Sequence, residues 1–110
     1  MRLTLAQLNP MVGDIAGNLA RLQATLERTR AERPDLVVFP ELYLVGYPPR
    51  DLLERSWFIR RVREAVEQVR ALSLGYPGTA ILVGAPVETG LPAGKGLYNA
   101  AVLVAEGRIL

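Results

Sequence analysis

Two short, continuous apolar segments, Leu36–Phe39 and Ala80–Val83, constrain the fold of this chain most. Neither alternates with polar residues, which is typical of strands that are covered on both faces. Each follows an amphipathic segment with helical spacing, over Ile15–Glu32 and Trp57–Leu72, and Asp14 is expected to cap the first of these helices. Strands and helices therefore alternate, and this order predicts an α/β fold with a layered parallel sheet.

The segments at the two ends of the chain extend this order. Alternating apolar side chains predict a first strand over Arg2–Leu8, and Leu97–Val104 is predicted as another strand. Glu106-Gly107 is a turn signal, so Arg108 is expected to begin the second strand of a hairpin. Because the sequence stops at Leu110, inside this hairpin, we expect the chain to be the first part of a larger domain.

Composition limits the chemistry available to the chain. Its 110 residues suffice for one domain at most, and they include neither Cys nor His. Disulfides and thiolate chemistry are thereby excluded on this chain, and the commonest general base is absent. Catalysis must rely on carboxylates, hydroxyls, arginines or Lys95, the only lysine, or on groups supplied from elsewhere.

Charge and hydropathy bear on the partners and the cellular location of the protein. The formal net charge is +2. The arginines are dispersed among the acidic residues and do not form a basic cluster with interleaved aromatic residues. We therefore expect no nucleic-acid partner. No apolar run is long enough to span a membrane, and the first residues do not resemble a signal peptide, so a cytoplasmic protein without a membrane partner is expected.

Glu41 is the first candidate for a functional residue. It follows Phe39-Pro40 at the carboxyl end of a predicted buried strand, where α/β proteins place their functional groups. A carboxylate against apolar walls is desolvated, which suits it to proton transfer. Two other interpretations stay open on spacing alone: Glu41 caps a following helical turn, or it pairs with an arginine such as Arg50.

Three further residues have alternative interpretations. Tyr47 lies in a loop that Gly46 and Pro48-Pro49 shape and stiffen, so it either borders a pocket or packs in an ordinary rigid turn. Lys95 lies at a glycine-rich tip without the spacing of a phosphate-binding loop and is expected to be solvated. Asn99, a polar residue in an apolar strand, is expected to make specific hydrogen bonds, either for structure or for a substrate.

Four stretches together resemble the nitrilase, or carbon–nitrogen hydrolase, superfamily, and they span essentially the whole chain. They are AQLNPMVGDIAGNLARL, LVVFPE, ILVGAP and LYNAAVLVAEGRIL. The longer stretch FPELYLVGYPPRDLL is more specific and resembles the glutaminase domain of glutamine-dependent NAD synthetases. The resemblance implies that the chain is the N-terminal part, residues 1–110, of a four-layer α-β-β-α sandwich.

The resemblance also implies a Glu-Lys-Cys site that hydrolyses the side-chain amide of glutamine. The cysteine forms a thioester, the glutamate transfers protons, and the lysine stabilises the tetrahedral intermediate. Residue by residue, Glu41 matches the catalytic glutamate and Tyr47 matches a tyrosine that borders the glutamine pocket. Lys95 does not match the family lysine, and the chain has no Cys. We therefore expect the chain alone to be inactive as a glutaminase.

Further implications concern cofactors and partners. In this family the released ammonia serves the ATP-dependent amidation of deamido-NAD, so ATP and Mg²⁺ are expected in a synthetase domain outside this chain and no cofactor or metal on it. Glutamine is the expected substrate, and a homo-oligomer is the expected assembly. Two alternatives stay open: part of a stand-alone amidase, carbamoylase or nitrilase, and a non-catalytic α/β assembly module.

Overall fold

The structure of the chain, a computed structural model, describes residues 1–41, 43–46, 56–88 and 97–110. Strands and helices alternate through these residues as the sequence predicts. In chain order they are β1 (Leu3–Leu5), α1 (Ile15–Thr29), β2 (Leu36–Val38), α2 (Ser56–Leu72), β3 (Ala80–Glu88), β4 (Leu97–Ala105) and β5 (Arg108–Ile109). The predicted helical turn around Arg50–Glu54 lies outside the described residues.

The strands form a single sheet, in the described part of the chain, whose spatial order is β1-β2-β3-β4-β5. β1, β2 and β3 run parallel, so their carboxyl ends lie at the same edge, and β4 and β5 continue the sheet as antiparallel neighbours. The predicted hairpin turn is confirmed: Glu106 and Gly107 have φ angles of 48° and 79°, the positive values that a tight two-residue hairpin turn requires.

Helix α1 begins at the predicted cap. A carboxylate oxygen of Asp14 accepts a hydrogen bond of 3.0 Å from the Gly17 backbone N–H, which satisfies one of the unpaired donors of the first turn. The predicted helix extends to Glu32, but its last three residues, Arg30–Glu32, form a tighter 3₁₀ turn. Arg33 then adopts a left-handed conformation, with φ of 49°, and ends the helical segment.

Both helices belong to one hydrophobic core with one face of the sheet. The buried residues of the core come from α1, α2 and alternate positions of the strands. They include Ile15, Leu22, Leu26, Phe58, Val62, Ala65, Val69, Val37, Ile81, Val83, Val102 and Val104. The strand residues of this set pair across the sheet, so they point to the same side. The helical spacing of the sequence predicts an apolar face on each helix. These faces consist of Ile15, Leu19, Leu22 and Leu26 on α1 and of Phe58, Val62, Ala65, Val69 and Leu72 on α2; all are in the core except Leu19 and Leu72, which are partly buried against it.

The other face of the sheet is apolar and carries no layer in the described residues. Leu3 and Leu5 on β1 are 55% and 62% exposed. Leu36, Leu82 and Leu103, which share this face through the strand register, are partly exposed. The structure therefore contains one sheet and one helix layer, which is the arrangement expected for half of a four-layer α-β-β-α sandwich.

Two strand boundaries differ from the prediction. β1 is shorter than Arg2–Leu8 because β2, its only neighbour in the described sheet, offers three pairing residues. β3 extends to Glu88 although the sequence predicted an end at Val83. In the described part of the sheet, β3 pairs beyond Leu82 with β4 alone, so Pro86 lies in an edge segment, where a missing N–H is tolerated.

None of the helices in the described ranges is long and apolar enough to cross a membrane.

Because the two faces of the sheet are buried to different extents, truncating a side chain to alanine is expected to lower the free energy of unfolding by different amounts on the two faces. Ile81→Ala removes a fully buried side chain from the helix-covered face and is expected to lower the free energy of unfolding by about 2–5 kcal/mol. Leu5→Ala, on the open face, is expected to change it by no more than about 0.5 kcal/mol. Urea denaturation of the 110-residue chain measures both. Equal costs would contradict the one-sided arrangement.

Candidate active site

Glu41 lies where the sequence predicted, just beyond the carboxyl end of β2. It is the second residue of a turn that the Tyr43 backbone N–H closes by donating to the Pro40 carbonyl at 3.1 Å. Its side chain is exposed, whereas the sequence suggested a carboxylate desolvated by apolar walls. The difference arises because the apolar residues around Glu41 belong to the sheet beneath it, and no layer of the described chain lies above.

A cavity of about 330 Å³ connects Glu41 with the open face of the sheet. Its walls are mostly apolar, and residues of β3 and β4 form part of them. The lining residues are Phe39, Pro40, Glu41, Leu82, Val83, Gly84, Ala100 and Ala101. Leu82 and Ala101 point to the uncovered side of the sheet, so a molecule in this cavity would lie between the sheet and any layer that covers it.

The turn that carries Glu41 is fixed to the sheet on both sides. Before the turn, the Phe39 N–H donates to the Leu82 carbonyl at 2.8 Å. After it, the Leu44 N–H donates to the Gly84 carbonyl at 3.2 Å. Both acceptors belong to β3, so β3 holds the backbone on either side of Glu41.

Tyr43 anchors the same turn to helix α1. The residue is completely buried, and its ring lies 5.2 Å from the ring of Phe39, measured between centroids. Its hydroxyl donates a hydrogen bond of 2.8 Å to the backbone carbonyl of Asn18. Burial raises the pKa of this hydroxyl, so it stays protonated and remains a donor throughout the neutral range.

The loop after β1 packs against the end of this turn. The Gly13 N–H donates to the Val45 carbonyl at 2.8 Å. Gly46 has φ of 78°, and a Cβ atom at this position would lie 2.7 Å from the Cα atom of Val12. Gly46 thus serves two purposes: it adopts a left-handed conformation, and it allows the two loops to approach each other closely.

Several residues singled out in the sequence are not placed by the structure. Tyr47, Arg50 and Lys95 lie outside the described residues. Asn99 pairs with Pro86 in the ladder between β3 and β4, but its side chain lies outside the described part. The predictions for these four side chains therefore stay predictions, and Glu41 is the candidate that the structure places at the cavity.

Asn18 is a residue of this region that the sequence patterns above do not predict. This residue is completely buried on α1 and contacts both loops at the carboxyl edge of the sheet. Its signal was present in the sequence, because Asn18 lies three residues after Ile15 and four before Leu22, in the middle of the apolar face. A polar residue in such a position needs specific hydrogen bonds.

No group of three or more acidic, Cys or His side chains that could hold a metal ion occurs in the residues that the structure describes.

The chain belongs to the carbon–nitrogen hydrolase family, which matches residues 2–110. Within that family it resembles the glutaminase domain of glutamine-dependent NAD⁺ synthetases. It is 39% identical to the glutamine-dependent NAD⁺ synthetase of Thermotoga maritima over 110 residues, which are 100% of this chain and 18% of the relative. The corresponding protein of Aquifex aeolicus is 35% identical, again over 100% of this chain and 18% of the relative.

Solved structures agree with this assignment. The glutamine-dependent NAD⁺ synthetase of Acinetobacter baumannii superimposes with a TM-score of 0.78 at 27% identity, over 98% of this chain and 19% of the other. An amidase from Nesterenkonia sp. superimposes with a TM-score of 0.83 at 24% identity, over 100% of this chain and 40% of the other, and supports the fold. The predicted family and fold class are thus confirmed, and the chain spans less than a fifth of the curated synthetases cited above.

The close approach at Gly46 can be tested by substitution. Gly46→Ala imposes a left-handed conformation on a residue with a Cβ atom and also forces that atom against the Val12 backbone. Gly78→Ala is the matched control, because Gly78 has φ of 85° but no atom within 4 Å of the added carbon. We expect Gly78→Ala to cost about 1–2 kcal/mol of unfolding free energy, and Gly46→Ala to cost about 1–3 kcal/mol more.

Chemical denaturation of the two variants measures this difference. Equal losses would show that the loops after β1 and β2 are not in close contact.

Proposed function

We propose that this chain is part of the glutamine amidohydrolase domain of a glutamine-dependent NAD synthetase, and that Glu41 is its proton-transferring residue. The observation that carries the proposal is the position of Glu41 on a turn fixed to β3, beside a cavity over the open face of the sheet. Sequence similarity along residues 2–110 to carbon–nitrogen hydrolases supports the same role.

The proposed reaction hydrolyses the side-chain amide of glutamine. Glu41 accepts the proton of a thiol nucleophile as the sulfur bonds to the amide carbon. It then transfers that proton to the amide nitrogen as the carbon–nitrogen bond breaks, so that ammonia leaves and a thioester remains. Water hydrolyses the thioester to glutamate, and Glu41 accepts the water proton and returns it to the sulfur.

The other groups of this reaction come from outside the chain in this proposal. The 110 residues contain no Cys, and the only lysine, Lys95, does not match the family lysine. The open, apolar sheet face beside Glu41 supports this division, because a second layer placed there would bring further side chains to the cavity. Tyr47, six residues after Glu41, is proposed to border the glutamine pocket.

We further propose a cytoplasmic homo-oligomer with glutamine as its small-molecule substrate, without nucleic-acid or membrane partners. In the full reaction ATP and Mg²⁺ would activate deamido-NAD for attack by ammonia. We assign both to residues outside this chain.

A stand-alone amidase is the second candidate, since the Nesterenkonia amidase shares the fold. The identity of 39% to the Thermotoga maritima synthetase favours the glutaminase assignment over it. The two differ in substrate: a glutaminase releases glutamate from glutamine, whereas an amidase of this second kind would prefer simple aliphatic amides.

Glu41→Gln tests the proposed role directly. The substitution keeps the shape of the side chain but removes its ability to accept a proton. In the protein expressed from the intact gene, we expect kcat for glutamate release from glutamine to fall by about 10²–10⁴-fold. Glu64→Gln, at an exposed position on α2, is the matched control and is expected to leave kcat unchanged.

The 110-residue chain by itself is expected to release no glutamate. Turnover by that chain, or full activity of the Glu41→Gln variant, would contradict the proposal. Preferential hydrolysis of aliphatic amides by the intact gene product would favour the amidase instead.

A further inference from the structure

The side-chain amide of Asn18 uses its entire hydrogen-bonding capacity. Its nitrogen donates to the Met11 carbonyl at 2.9 Å and to the Leu44 carbonyl at 3.2 Å. Its oxygen accepts from the Met11 N–H at 2.9 Å and from the guanidinium of Arg21. An amide has two N–H donors and two acceptor sites, so all four are occupied.

These bonds join three separate parts of the chain. Met11 belongs to the loop after β1, Asn18 to α1, and Leu44 to the turn after β2, three residues beyond Glu41. The hydroxyl of Tyr43 adds a second link, to the Asn18 backbone carbonyl. Asn18 is therefore the point at which helix α1 holds the backbone that carries Glu41.

Two other buried polar side chains of the helical layer, those of Thr25 and Ser73, bond elsewhere in the described structure. The hydroxyl of Thr25 donates to the Arg21 carbonyl one turn earlier in the same helix, at 2.9 Å. Ser73 likewise donates to the Arg70 carbonyl at 2.6 Å, within its own helical segment, and also accepts from the Gly107 N–H. Asn18 differs from both because its side chain reaches the loops at the carboxyl edge of the sheet.

We propose that Asn18 is a positioning residue for Glu41. This proposal rests on the proton-transfer role proposed for Glu41 above. The amide fixes the Leu44 carbonyl, and the short turn from Pro40 to Tyr43 transmits that position to Glu41. A displacement of about 1 Å at a reacting group can cost about 10²-fold in rate. Loss of this amide is therefore expected to affect the chemical step more than glutamine binding.

Two substitutions separate the functions of the amide. Asn18→Leu keeps the approximate volume and removes all four hydrogen bonds. Asn18→Asp keeps the acceptor oxygen toward the Met11 N–H and the Arg21 guanidinium, and removes only the two N–H donors. Asn18→Asp introduces a carboxylate beside the Arg21 guanidinium, an opposite charge that favours folding, so it is the variant to use where the leucine variant fails to fold.

Thr25→Val is the matched control. Thr25 is 4% exposed and lies on the same helix, two turns from Asn18, and its hydroxyl bonds only within α1 in the described structure. The control therefore removes a buried polar group from the same helix without touching either loop.

The experiment uses the protein expressed from the intact gene and compares kcat and KM for glutamine, per folded molecule. Asn18→Leu and Asn18→Asp are expected to lower kcat by about 10²-fold with KM retained. Thr25→Val is expected to change neither constant. Amide hydrogen exchange at Met11 is expected to accelerate in Asn18→Leu but not in the control, because the Met11 N–H donates to Asn18.

The outcomes distinguish this proposal from the one on which it rests. If Glu41→Gln abolishes turnover while the Asn18 variants match Thr25→Val in kcat, the positioning role is overturned and the role of Glu41 stands. If Glu41→Gln is fully active, both are overturned. A kcat loss confined to the Asn18 and Glu41 variants supports both.

Discussion

The geometry at the carboxyl edge of this sheet depends on one buried amide, that of Asn18. Helix α1, the loop that precedes it and the turn after β2, 26 residues further along the chain, meet at its hydrogen bonds. The hydroxyl of Tyr43 and the close contact at Gly46 reinforce the same junction. Without this junction, the turn after β2 would depend more heavily on its two bonds to β3, and the carboxylate of Glu41 would have a wider range of positions.

The second constraint is the unequal covering of the sheet. Helices bury one face, and the other exposes leucine side chains together with the cavity beside Glu41. An exposed carboxylate in high dielectric is a weak catalyst, because water screens its interactions. A layer over the open face would exclude that water and deliver the nucleophile. In the proposed domain, the same apolar surface would both pack against a second sheet and enclose the substrate.

The sequence predicted the features that depend on interactions between residues close together in the chain. The 3.6-residue period predicted the buried faces of both helices, Asp14 was recognised as a cap, and the apolar run ending in Phe39-Pro40 located Glu41 at the end of β2. Non-local effects were missed. The continuation of β3 through Pro86 depends on where β2 ends, and the exposure of Glu41 depends on which layers cover the sheet. The position of Asn18 on the apolar face of α1 was visible in the sequence, but its partner Leu44, 26 residues away, was not.

The central claim is that Glu41 transfers the proton in an amide hydrolysis on the open side of the sheet. A crystal structure of the protein expressed from the intact gene, trapped as the thioester formed from glutamine, tests it most directly. We predict that a Glu41 carboxylate oxygen lies within hydrogen-bond reach of the water that attacks the thioester carbon, at about 2.6–3.2 Å. A thioester on the helix-covered side, or a Glu41 carboxylate directed away from it, would contradict the account.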